Sequence, residues 1–424
     1  MSTSVSAILD LHDARHSQDR SLAAILALAA DHPEQLGALL LLALQRGSPT
    51  TAYLDVALDL LPDAALPPVC AEAWRRYREG ASAPLVARVV EFASYQAPQT
   101  LQDDWEALLE AFADGEAQLA PSVWRALPAA VAARWAEILR AADDASEVSR
   151  GQALLLAAQA DTVAIARRYL LDRDGLNAHN WIPWAGLSDT EPPRLLHGLQ
   201  PLHLRFSQAQ WRAQLDAEPA WRREIWRLHP TWQGGTLQGS ARIGGALGVA
   251  CGYCAAPLQR LLELDRRFLQ EGASGTVTLC LCQACADGGD GPDVYYVRHG
   301  ADGLPESATS SPARGAATLG TPDDGLMEAE VGLVAMHGQR WQQQDWGESN
   351  NRQNLSRVGG APSWVQGAGY PPCRDCKTPM RFVLQLDTIL PTVGGNTQYW
   401  GSGGMLYAFW CDACAISAHQ WQCT

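Results

Sequence analysis

Over the first 200 residues apolar side chains recur every three to four positions, and the pattern is cut at short intervals by helix-breaking residues. This spacing predicts helices over 21–30, 34–46, 51–61, 69–79, 84–95, 101–113, 128–142, 147–159 and 161–171. The interruptions are Gly47-Ser48-Pro49, Pro67-Pro68, Gly80, Asp114-Gly115 and Asp174-Gly175, where glycine and proline disfavour continued helix. Thr100 with Asp103 has the form of a capping box. Short connections imply antiparallel helical pairs, which fit either a HEAT-like solenoid or a compact bundle. Trp74, Trp105, Trp124 and Trp135 lie on these helices and are expected in the core.

Near residue 200 the texture changes. Trp181, Trp184, Trp211, Trp221, Trp226 and Trp232 crowd a proline-containing stretch, and the period then shortens from helical to alternating. Met380, Phe382, Leu384 and Leu386 read as one face of a strand, with Arg381, Gln385 and Asp387 on the other. Further strands are expected over Val277–Leu281 and Leu406–Trp410, with a return strand at Val294-Tyr-Tyr-Val297. The fold class expected is therefore α+β: an all-α domain over 1–200, then β-rich regions over 201–300 and 331–424 joined by an acidic flexible linker at 301–330.

The β-rich part carries the chemistry. Of eleven cysteines, eight form four Cys-x-x-Cys pairs: Cys251/Cys254, Cys282/Cys285, Cys373/Cys376 and Cys411/Cys414. Each pair can aim two sulfurs at one ion, so four pairs in order suit two closed four-thiolate zinc sites. The surrounding sequence repeats in register. Arg242-Ile243-Gly244-Gly245 precedes the first pair and Arg357-Val358-Gly359-Gly360 the third. Pro257, Leu258, Leu262, Leu264 and Asp265 then match Pro379, Met380, Leu384, Leu386 and Asp387. Such self-similarity implies an internal duplication, each copy a zinc-ribbon-like module of strand, knuckle, strand, strand, knuckle with one structural Zn2+. Cys70, Cys280 and Cys423 are left as ordinary thiols.

Charge narrows the partners. The formal net charge is −14, with nine acidic and two basic residues over 286–330 and a near balance in each cysteine-bearing copy. No basic stripe of the kind that displaces counterions is present, which argues against nucleic acid. Nor is there an apolar run long enough for a bilayer or a secretory leader, so a cytoplasmic location is expected; in that reducing compartment paired cysteines are metal ligands before they are disulfides.

Several segments carry a family likeness: Asn354-Leu-Ser-Arg-Val-Gly-Gly-Ala-Pro-Ser-Trp-Val-Gln366, Tyr370-Pro-Pro-Cys-Arg-Asp-Cys376, Met380-Arg-Phe-Val-Leu-Gln-Leu386 and Trp400-Gly-Ser-Gly-Gly-Met-Leu-Tyr407. They resemble the YwqG-like bacterial family of unknown function and, more distantly, the cysteine-rich domains of programmed cell death protein 2. The first resemblance implies a β-rich, duplicated fold; the second implies a chaperone-like role toward a ribosomal protein.

For function, a four-thiolate site leaves no open position for water or substrate, so both ions are expected to be structural and no catalytic set is assigned. His229 in His229-Pro-Thr-Trp232 reads as a turn or core residue, His299 and His419 as outer-shell or surface groups, and the matched Asp265 and Asp387 as strand-end caps. Gly244-Gly245, Gly359-Gly360, Gly394-Gly395 and Gly401-Ser-Gly-Gly404 read as turns and bulges, none with the form of a phosphate loop. The leading expectation is a zinc-stabilised protein-binding scaffold or chaperone-like adaptor for a basic protein, a ribosomal protein or a toxin, with Trp364 and Trp400 as contact anchors. The alternative is an enzyme with a cleft between the two β copies.

Overall fold

A computed structural model describes residues 4–206, 228 and 234–423, apart from 15–17, 49–50, 52, 116, 199, 271, 288–291, 308–324, 338–354 and 389. It divides into two compact units, one running up to Pro193 and the other beginning at Arg194.

The first unit is helical. In order come α1 (Val5–Asp13), α2 (Gln18–Asp31), α3 (Leu36–Arg46), α4 (Leu54–Asp59), α5 (Leu66–Arg78), α6 (Pro84–Gln96), α7 (Trp105–Asp114), α8 (Ala129–Ala141), α9 (Val148–Ala157), α10 (Val163–Arg173) and α11 (Ala178–Trp184). Each helix expected from the pattern has a counterpart, and α1 and α11 are additions. Gly47 and Gly115 close α3 and α7 in the left-handed conformation that glycine adopts without strain, whereas Pro67-Pro68 lie within the first turn of α5, where their missing N–H groups cost nothing. At the start of α7 the cap is displaced. Asp104, not Thr100, accepts from Ala107 N, while Asp103 accepts from the Trp74 indole and from Arg78. Side chains from α1 through α11 share one continuous apolar core, in which Trp74, Trp124 and Trp135 are buried and Trp105 packs against the margin. Among the described residues no helix is long and apolar enough to cross a membrane.

The second unit is antiparallel β. Its strands are β1 (Leu202–Phe206), β2 (Thr236–Ile243), β3 (Ala246–Ala250), β4 (Pro257–Asp265), β5 (Thr276–Leu281), β6 (Tyr295–His299), β7 (Pro305–Ser307), β8 (Ala329–Ala335), β9 (Arg357–Val358), β10 (Arg381–Asp387), β11 (Leu390–Pro391), β12 (Thr397–Gln398), β13 (Met405–Cys411) and β14 (Ile416–Gln422). Twelve form one sheet in the order β3-β4-β2-β8-β1-β9-β10-β13-β14-β6-β7, with β5 on β4, while β11 and β12 form a separate hairpin. The ends of the sheet return on each other, since Thr278 N on β5 donates to Gly303 O in the turn before β7. The result is a nearly closed, barrel-like sheet.

The duplication is visible in the backbone. Gly244-Gly245 and Gly359-Gly360 each place two consecutive residues at positive φ. A Cβ on Gly244 would lie 2.2 Å from the Met327 carbonyl oxygen, so Gly244 is a steric requirement. Both copies also carry a β-bulge at the same place: the ladder slips between Arg260 and Leu262 against β5, and between Phe382 and Leu384 against β13.

That bulge corrects the strand reading. Met380 and Phe382 face the cluster of Tyr407 and Phe409, but the extra residue Val383 turns Leu384 and Leu386 to the other face and brings Gln385 opposite Tyr407. Alternation counted without the bulge puts all four apolar residues on one face.

The copies are also interleaved. β6, from the first, pairs with β14 of the second, and β1 sits between β8 and β9. The expected linker contributes to the sheet at both ends, through β7 and through the first residues of β8, and Leu326 forms an isolated bridge with Thr392 beside the separate hairpin; residues 308–324 within it lie outside the described residues.

Candidate metal centres

Local backbone geometry makes the four knuckles. At the first, Ala255 N donates to Cys251 O and Cys251 N to Ala256 O; at the third, Lys377 N donates to Cys373 O and Cys373 N to Thr378 O. Ala255 and Lys377 occupy the same position and both take positive φ, 64° and 60°, without being glycine. This tight turn leaves the two sulfurs of each Cys-x-x-Cys on one side. The second knuckle sits instead on a short helix, Gln283–Asp287, and the fourth turns β13 into β14 through Ala415 at φ 48°.

The pairs converge in twos, first with second and third with fourth. Cys251, Cys254, Cys282 and Cys285 form one set, and Cys373, Cys376, Cys411 and Cys414 the other, with all sulfurs of a set within 4.8 Å of one another. A four-thiolate tetrahedron with metal–sulfur bonds of about 2.3 Å has edges of about 3.8 Å. Three edges match closely: 3.8 Å for Cys251 to Cys285, 3.4 Å for Cys254 to Cys282 and 3.6 Å for Cys376 to Cys411. Both sets are thus close enough to hold a metal ion, and the donors fit a closed, soft-ligand site.

Electrostatics point the same way. In the first set the sulfurs of Cys251, Cys282 and Cys285 bear directly on one another. Hydrogen bonds from Cys282 and Cys285 hold the Cys251 thiol far below its ordinary range, and the same bonds push Cys282 up to about 12 and Cys285 higher still. A bound cation removes this conflict, because each thiolate then faces positive charge. The Tyr295 hydroxyl donates to Cys251 Sγ at 3.1 Å and Tyr253 N approaches the same sulfur at 3.3 Å, the outer-shell support that thiolate sites use. Sequence reasoning missed both tyrosines. The signal for Tyr295 was its place on the strand after the closing knuckle, but only the sheet brings it back to Cys251.

Burial separates the two sets. All four sulfurs of the first come from buried residues, whereas in the second Cys376 is exposed and Cys414 half-buried. The third knuckle is held to β6 by the Tyr296 hydroxyl, which donates to Pro372 O, and by Arg298 on Asp375 at 2.7 Å.

The other expected residues disperse. His299 and His419 are neither ligands nor surface groups. They are buried and share the Ser417 hydroxyl, their Nε2 atoms at 2.9 and 2.8 Å from it. Burial depresses both, to about 4 for His299 and about 3 for His419, so the native sheet holds them neutral. His419 and Tyr295 also line a cavity of about 30 Å³ beside Cys282 and Cys285, a space of water size. His229 lies outside the described residues, as do Trp211, Trp221, Trp226 and Trp232. Cys70 and Cys280 are buried, and Cys423 is half-buried.

Asp265 caps a short turn by accepting from Arg267 N. Asp387 is buried and accepts from Leu355 N and Thr388 N; burial pushes its carboxyl up to about 7. Around it stands a polar latch on the segment from Leu355 to Val365. Gln385 bonds Ser363 N and Leu355 O, the Tyr407 hydroxyl donates to Ser363 O and accepts from Val365 N, and Arg357 donates to Ala361 O and Ser363 Oγ. Arg357 is fully buried, and burial lowers its guanidinium to about 10. The most distinctive sequence motif is therefore a buried clamp.

Of the two tryptophan anchors, Trp400 requires correction. It is 1 % exposed, with its indole donating to Asp387 O, so it offers no surface. Its neighbouring glycines make it look like a loop-tip residue, but the chain folds it inward because the Asp387 carbonyl at the strand end supplies a buried acceptor. Trp364 is half-buried, packed at 4.8 Å on Tyr407 and at 5.3 Å on Tyr370.

Comparison with known proteins adds one distant relative. The chain is 26 % identical over 247 residues to the uncharacterized protein YpfL of Salmonella typhimurium strain LT2, covering 55 % of this chain and 53 % of that protein. The chain thus spans about half the length of the curated relative it matches. No family model matches the chain, and neither does any solved structure.

Proposed function

We propose that this protein is a zinc-stapled adaptor that binds a basic protein partner, the two four-cysteine sets each holding one structural Zn2+. The observation that carries this reading is the convergence of eight thiols into two sets with sulfur spacings that fit thiolate tetrahedra, with no further ligand grouped with either among the described residues. Zinc is favoured over redox-active metals because the sets are paired hairpin knuckles that brace strands, and Zn2+ carries no electron chemistry of its own. Thiols that keep such sets reduced suit a cytoplasmic setting.

Binding is favoured over catalysis because the paired aspartates act as backbone caps, and the buried histidines bond to a serine inside the sheet. The resemblance to the YwqG-like and programmed cell death protein 2 families supports the same role, with a ribosomal protein or a toxin as the cargo. The net charge of −14 favours a basic cargo, whose capture would speed up at low ionic strength. With Trp400 inside, the contact anchors are assigned to half-buried Trp364 and to Tyr399 and Trp421, which are 44 % and 37 % exposed.

Elemental analysis of protein purified under reducing conditions should give two zinc ions per chain. Affinity purification from the native host at low salt should recover a basic protein in stoichiometric amount, lost as salt is raised. A metal-free folded protein would refute the zinc reading, and recovery of no basic protein would refute the adaptor.

A further inference from the structure

The two sulfur sets share the geometry of their opening knuckles and differ in what a solvent-borne reagent can reach. In the first, every cysteine is buried and Cys251 Sγ is shielded by the Tyr295 hydroxyl and Tyr253 N. In the second, Cys373 is fully buried, yet Cys376 is exposed on the tip of its knuckle, and the Cys411 sulfur lies 3.6 Å behind it. We infer that Cys376 is a site of oxidative modification, at which a peroxide converts Cys376 and Cys411 to a disulfide and expels the second metal ion while the first stays bound. This inference rests on the reading of both sets as metal centres.

Chemical reactivity follows from access, because a metal-bound thiolate is still a nucleophile when its sulfur meets solvent. The Cys376 thiolate attacks one peroxide oxygen; the sulfur–oxygen bond forms, the oxygen–oxygen bond breaks, and hydroxide leaves to be protonated to water. The resulting sulfenic acid is attacked at sulfur by the Cys411 thiolate. A sulfur–sulfur bond forms, the sulfur–oxygen bond breaks, and a second hydroxide leaves and is protonated. Two thiolates have then lost two electrons to one peroxide, and Cys373 with Cys414 alone is too small a ligand set to retain the ion. The two sulfurs need move only from their 3.6 Å separation to bonding distance, Cys376 on the third knuckle and Cys411 at the end of β13. Nothing equivalent is open to the first set.

The test uses the full chain, reduced and loaded with zinc, its metal content measured before hydrogen peroxide is added. A chromogenic zinc indicator follows release, and peptide mass mapping locates the oxidised cysteines. The expected result is one ion released per chain, a Cys376–Cys411 disulfide, and Cys251, Cys254, Cys282 and Cys285 still reduced. Cys376→His, which keeps a ligand but removes the exposed sulfur, should hold two ions and slow release by about tenfold. Should both ions leave together, should first-set cysteines oxidise first, or should Cys376→His release as fast as the parent, the inference is overturned. A chain that binds no zinc before peroxide fails the metal-centre reading instead, a separate outcome.

Discussion

The two β copies carry the same opening knuckle turn, the same double glycine and the same bulge, but they stand in different surroundings. The first copy has the buried metal set, a solvent-exposed Arg242 and a half-buried Asp265; the second has the accessible set and a buried Arg357 and Asp387 under a polar latch. At the opening knuckles a repeated local sequence thus reproduces the same turn in both places. Burial, charge state and reactivity belong to the position in the sheet.

The largest effect that tests this contrast is ligand removal. Cys254→Ser and Cys376→Ser each delete one ligand, and a structural four-thiolate site contributes on the order of 10 kcal/mol to folding. Because the first set is enclosed among β4, β5 and β6, Cys254→Ser is expected to abolish cooperative β unfolding in a thermal melt. Cys376→Ser should release one ion and lower the melting temperature while leaving a folded sheet. Equal outcomes would erase the distinction between the copies.

Next come the matched arginines. Arg357→Met removes a buried cation that bonds the latch and faces Asp387, a loss of about 3 kcal/mol in denaturant unfolding. Arg242→Met, at the equivalent exposed site, should change stability by less than about 0.5 kcal/mol.

Acid titration is the third test. His299 and His419 have folded values near 4 and 3, below the ordinary value of 6.5, so the unfolded chain binds protons that the native sheet refuses. Their contribution is complete above pH 6.5 and is lost as pH falls toward those folded values, with a slope of about 1.4 kcal/mol per pH unit for each histidine. Asp387 runs the other way. Its value is raised from 3.8 to about 7, so the native state favours the proton, and the stability it contributes is full below 3.8 and lost as pH rises through 7. His419→Gln should roughly halve the acid slope, whereas Asp387→Asn should flatten the loss on the neutral side. A histidine variant with an unchanged slope would contradict the neutral, buried assignment.

The smallest effect sharpens the first set alone. Tyr295→Phe removes the hydroxyl bond to Cys251 and should weaken metal retention there by about tenfold in a competitive chelator titration, leaving the second ion unaffected.

Much of this molecule could be read from residue order. Helices over the first 200 residues follow from apolar spacing and from glycine and proline stops, both local properties of the chain. The eight ligands and their duplication follow from Cys-x-x-Cys turns, whose sulfur geometry is fixed within a few residues. What only the tertiary structure decided involves partners far apart in sequence: β6 pairing with β14, the bulge at Val383 turning Gln385 and Asp387 under the latch, Trp400 folding inward, and one sulfur set closing over while the other stays open. The physical reason is range. Turn chemistry and periodicity act over a handful of residues, whereas burial is set by whichever strands the closing sheet brings alongside.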